Sequence, residues 1–122
     1  MNDRVFTVAE ADALLPELRE RLARIRQARD AIVAGTHEVN DRLAAESGGV
    51  EGSALYEASR ALRSEVETLN ALGVVLRDPS TGLIDFPAVR DGEEVWLCWR
   101  DGEDAVRYWH PHDTGFSGRR EL

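Results

Sequence analysis

Lysine is absent from this chain: all 15 of its basic residues are arginine. Codon bias in a GC-rich genome accounts for that more simply than any mechanism does. A single cysteine, Cys98, excludes an internal disulfide and any cysteine-rich zinc site. No apolar run approaches the roughly 18–20 residues of a membrane span, and the N-terminus lacks the apolar core of a signal peptide. The cytoplasm is therefore the expected compartment. The net charge of -8 disfavours nucleic acid and anionic membrane as non-specific partners, since both reward the opposite sign. The acidity is even: residues 1–73 carry 13 acids and 9 bases, residues 74–122 carry 10 and 6. What remains, 43% hydrophobic and 31% charged over 122 residues, suits one globular domain with one core.

The first 73 residues read as helix. Thr7 and Glu10 form a capping box, each side chain placed to bond the other's amide. A short helical turn is expected to follow, with Pro16 either opening a second helix or lying inside one long helix. Leu15, Leu18, Leu22, Ile25, Ile32, Val39 and Leu43 then keep a nearly heptad spacing to about residue 46. Arg19, Arg21, Arg24, Arg26 and Arg29, interleaved with these, read as the solvated flanks of that helix. Residues 47–52 form a loop by composition, with Ser53 as a helix cap. A second, shorter helix carries Leu55, Leu62, Val66, Leu69 and Leu72 on one face and stops at Gly73. A long helix overhanging a shorter partner calls for apolar cover, so a homodimer is expected.

After Gly73 the period becomes alternating. Val74–Arg77, Leu83–Phe86, Glu94–Arg100 and Ala105–Trp109 are strand candidates, and Asp91-Gly92 is a strong two-residue hairpin signal. The expected fold is α+β: an antiparallel helical hairpin packed on a small, roughly four-stranded antiparallel sheet, residues 1–73 and 74–122 sharing one core. Counting outward from Asp91-Gly92 sets Phe86 opposite Leu97 and Ile84 opposite Trp99. Treating 101–104 as a four-residue turn sets Leu97 opposite Tyr108 and Trp99 opposite Val106. One face then collects apolar residues. The other holds Val75, Arg77, Leu83, Asp85, Trp96, Cys98, Arg100, Arg107 and Trp109, an aromatic and locally positive surface.

Two chemistries compete for that region. Arg77, Asp85, Trp96, Arg100, Arg107, Trp109 and Arg119 suit a protein partner or an anionic small molecule, because tryptophan and arginine anchor interfaces. Alternatively His110 and His112, about 6.6 Å apart on one face of an extended chain, can reach one metal ion. Asp113, Glu103, Glu10 or Glu57 would complete a nitrogen/oxygen site suited to Fe, Mn or Zn. The competing reading is that His110 extends the core face while His112 lies in a solvated loop. Cys98 is a lone strand thiol, and residues 115–120 read as a mobile tail pinned by Phe116.

Several stretches together resemble a bacterial family of uncharacterised domains found in actinobacteria and other prokaryotes. They are Phe6-Thr7 with Glu10, Leu14-Leu15-Pro16, Gly82-Leu83-Ile84-Asp85-Phe86-Pro87, Leu97-Cys98-Trp99-Arg100, Gly102-Glu103, Tyr108-Trp109-His110 and Gly115-Phe116-Ser117-Gly118-Arg119. The family pattern has a glutamate after the histidine of its Trp-His pair, where this chain has Pro111. The resemblance implies the fold and a bacterial origin and brings no activity with it.

Overall fold

A computed structural model describes residues 4–45 and 53–122, with side chains for 4–37 and 54–122. The capping box is formed: the Thr7 amide donates to Glu10 Oε1 at 2.8 Å, and the Glu10 amide donates to Thr7 Oγ1 at 3.1 Å. The Thr7 amide bond, joined by the Thr7 hydroxyl, holds the Glu10 carboxyl below its usual value. From this cap one helix, α1, runs Val8–Ala45 without ending at Pro16. A proline inside a helix removes one ladder bond. Here Leu15 and Leu18, which flank it, are both buried, so packing holds the turn that local propensity would break. Ala11, Leu15, Leu18, Leu22 and Ile25 form the buried stripe of α1.

Helix α2 (Ser53–Leu72) closes with paired bonds, Val74 amide to Leu69 carbonyl and Gly73 amide to Asn70 carbonyl. This is the Schellman arrangement expected of a glycine at that position. At 1.5 Å per residue α1 is roughly 57 Å long and α2 roughly 30 Å. Gly35 of α1 sits against Leu55 near the start of α2; counted from that contact, α1 overhangs α2 at both ends, by about 8 residues on the loop side and about 10 at its own start. The side chains of Val39, Leu43 and Ser53 and the loop 47–52 lie outside the described residues. Among the described residues no helix is long and apolar enough to cross a membrane.

The arginines of α1 are more than solvated flanks. Arg21 and Arg24 both bond Glu65 of α2 at 2.8 Å, Arg26 bonds Asp101 at 2.9 Å, and Arg19 donates to the carbonyls of Glu103 and Asp104. Burial alone would raise the Glu65 carboxyl, but the two arginines outweigh it and hold the group below its usual range.

The sheet is antiparallel and meanders in chain order through β1 (Val75–Asp78), β2 (Leu83–Arg90), β3 (Glu93–Arg100), β4 (Tyr108–Pro111) and β5 (Arg120–Glu121). It therefore has five strands rather than about four. The β2–β3 hairpin turns on Asp91 (φ 53°) and Gly92 (φ 80°), both left-handed as this turn requires. Its register follows the sequence count, Arg90 opposite Glu93, Phe86 opposite Leu97 and Ile84 opposite Trp99. Ile84, Phe86, Ala88, Val95, Leu97 and Trp99 line the inner face and join the α1 stripe and Leu69 in one buried cluster. Beyond the end of β1, the Phe6 amide donates to the Pro87 carbonyl at 2.7 Å, tying the α1 entry to the sheet.

Candidate functional site

The β3–β4 pairing departs from the sequence count by one residue. Leu97 faces Trp109, Cys98 faces Tyr108 and Trp96 faces His110. The cause lies in residues 101–107, which form a longer connection than a four-residue turn. Glu103 Oε1 accepts from the Arg100 amide, the Glu103 carbonyl accepts from Trp99 Nε1, and Asp12 of α1 accepts from the Val106 amide at 2.7 Å. Val106 is thereby buried off the sheet, and the strand begins at Tyr108 instead of Ala105. A one-residue slip exchanges the two faces of a strand. Trp109 consequently packs toward the core cluster, while Tyr108 and His110 join the outer face.

That face carries a buried polar cluster. Asp85 and Cys98 face each other across β2 and β3, and His110 stands beside them on β4. Arg77 Nε donates to Asp85 Oδ2 at 2.9 Å, and His110 Nε2 lies 3.0 Å from the same oxygen. His110 Nδ1 is 2.9 Å from the Pro111 carbonyl, which only accepts, so Nδ1 carries a proton. The side chains of Asp85 and His110 are each 3% exposed. Asp85 Oδ1 is buried without a hydrogen-bond partner. Burial, together with the Asp85 carboxylate, pushes the Cys98 thiol up to about 12. At neutral pH this sulfur is a protonated thiol, which excludes it as a free nucleophile.

Above the cluster opens a pocket of ≈ 340 Å³. Asp85 and His110 form its floor, and Trp96, His112, Arg77 and Phe116 are among its walls. The rings of Trp96 and His112 stack at 4.8 Å with 20° between their planes, and the Arg77 guanidinium lies 4.8 Å from the Trp96 ring. The roof comes from the C-terminal segment, which is not a loose tail. Phe116–Gly118 makes a 3-10 turn and β5 pairs with β4. Arg119 bonds both Glu103 oxygens at 2.7 and 2.9 Å and lies 4.0 Å from the Tyr108 ring and 4.6 Å from the Phe116 ring.

Of the residues singled out for ligand or partner binding, Arg77, Asp85 and Trp96 come together in this pocket. Arg100 lies at its margin over Phe116, and Arg119 braces the roof. Two belong elsewhere. Arg107 leaves the sheet and pairs with exposed Asp104, and Trp109 turns to the opposite face between Arg90 and Arg120.

The four metal candidates are also separated. His110 sits in the buried cluster, while His112 is exposed and stacked on Trp96. Asp113 is exposed. Glu103 is engaged by Arg119 and the Arg100 amide. Its burial would raise its carboxyl, but those bonds hold it below the usual range. Glu10 is occupied in the capping box and Glu57 is exposed on α2; both helices lie across the sheet from the cluster. The donor atoms that do converge belong to Asp85, Cys98 and His110, all within 4.8 Å of one another. The Asp85–Cys98 half of this group was legible from the β2–β3 register, and the His110 half was hidden by the slip.

No curated protein and no solved structure is matched by this chain. The family model described as "Uncharacterized conserved protein (DUF2203)" matches residues 4–122. That match spans nearly the whole chain, and the chain belongs to the DUF2203 family of uncharacterized conserved proteins.

Proposed function

We propose that this protein is a binding module whose outer sheet face holds a small anionic ligand with a planar or aromatic part. One observation carries the reading: the Trp96–His112 stack and the Arg77 guanidinium border the same ≈ 340 Å³ pocket. A planar group gains from stacking on the aromatic pair, worth about 0.5–1.5 kcal/mol beyond burial. An anionic group gains from Arg77, whose bond to Asp85 runs through Nε alone, leaving its forked terminal nitrogens available. On a chain of net charge -8, Arg77 brings a cation to this pocket, with the Asp85 carboxylate engaged on its Nε side.

The test is tryptophan fluorescence and thermal shift against a panel of aromatic carboxylates and aryl phosphates, comparing wild type with Arg77→Ala and Trp96→Leu. Saturable binding weakened about tenfold or more in both variants is expected, equivalent to about 1.4 kcal/mol. A panel without a single saturable response, or binders indifferent to Arg77, would remove the reading.

The hairpin supports assembly as a second part of the same reading. The end of α1 beyond Gly35 extends past Leu55, offering a helical arm to a second copy. Sedimentation across a wide concentration range checks this, and a monomer throughout counts against it.

A further inference from the structure

The buried cluster beneath the pocket holds three good metal donors of three chemical kinds, and one of its features is unexplained by the protein alone. This is Asp85 Oδ1, a carboxylate oxygen in a side chain 3% exposed, with no hydrogen-bond partner. Buried acceptors left unpaired cost about 1–3 kcal/mol, more when charged, so such an atom calls for a ligand. Beside it His110 is held by its Nδ1 contact to the Pro111 carbonyl, with Nε2 aimed at the same carboxylate, 3.0 Å from Oδ2.

We infer that Asp85, Cys98 and His110 form a transition-metal site for Zn²⁺ or an ion of the same borderline-soft class. The donor atoms lie within 4.8 Å of one another. Ligands on a tetrahedral ion with bonds of about 2.0–2.3 Å stand roughly 3.5 Å apart, so small side-chain rotations close the set. The His110 Nδ1–H bond to a backbone carbonyl is the outer contact that fixes a metal-bound histidine. Thiolate with imidazole selects Zn²⁺ over Mg²⁺, Ca²⁺ or Mn²⁺, which prefer oxygen alone. Binding exchanges the ion for the thiol proton, which leaves to water, so Cys98 ligates as thiolate. Three protein donors leave a fourth position, and the pocket floored by Asp85 and His110 is where it opens. This site does not include His112, Asp113 or Glu103.

The test uses the full untagged chain, metal-stripped and titrated with Co²⁺ alone, followed by back-titration with Zn²⁺. One Co²⁺ per chain with a thiolate-to-cobalt charge-transfer band, bleached by Zn²⁺, is expected. Cys98→Ser should lose the band and His112→Ala should keep it, with circular dichroism reporting the fold of each variant. Should Cys98→Ser fail to fold, His110→Gln carries the same expectation. Absence of a stoichiometric band in wild type, a band surviving Cys98→Ser, or one abolished by His112→Ala overturns the assignment. Because no organic ligand enters the assay, its result is separate from that of the pocket test.

Discussion

The inner and outer faces of one sheet are built from alternate residues of the same strands, yet they reach burial by opposite means. On the inner face Ile84, Phe86, Leu97 and Trp99 meet the α1 stripe, and apolar area removed from water does the work. On the outer face Asp85, Cys98 and His110 are equally buried, beside an arginine, Arg119, laid over the Tyr108 and Phe116 rings. The first face specifies a fold. The second holds polar groups out of water at a cost in stability.

That contrast can be broken from either side. Trp99→Ala empties the centre of the inner face and frees the Glu103 carbonyl; a loss of about 3–5 kcal/mol in urea unfolding is expected. Asp85→Ala strikes the outer face at equal depth. It leaves Arg77 without its acceptor and His110 Nε2 without the carboxylate 3.0 Å away, yet Arg77 is 41% exposed and can turn to water. About 1–3 kcal/mol is expected, clearly below the Trp99 value in the same assay. Gly82→Ala tests the seam between helix and sheet. At φ +73° a new Cβ would lie 2.6 Å from Asp101 Cβ and 2.7 Å from Arg26 Nη2. Backbone strain alone should cost about 1–2 kcal/mol, read as a lowered melting temperature. The smallest effect is Glu65→Gln, about 0.5–1 kcal/mol at neutral pH. Since the folded carboxyl sits below its ordinary 4.5, its contribution is whole above that value and vanishes as pH falls through the lowered one. Melting curves of wild type and variant should therefore converge in acid.

The parts of this fold visible in the sequence are those governed by neighbours along the chain. Thr7 and Glu10 cap their own helix, Gly73 ends α2, and Asp91-Gly92 sets the β2–β3 register. The β3–β4 register was not visible because its spacing is imposed from 94 residues away, by Asp12 on the Val106 amide, with Arg19 on the same loop. One misplaced residue there put Trp109 where His110 belongs and hid the cluster. The fifth strand was missed for a similar reason. Its two residues have little β signature of their own and are held by Arg119 on Glu103 and by the Leu122 amide on the Arg107 carbonyl.

The meander has a consequence in time as well as in space. Strands that pair only with their sequence neighbours need no crossover, so each can pair as soon as the next has been synthesised. A growing chain has its helical hairpin and Asp85 before Cys98, and Cys98 before His110. The buried cluster is therefore the last part of the sheet to be completed, since Asp85 and Cys98 lack their neighbour His110 until Tyr108–Pro111 pairs with β3.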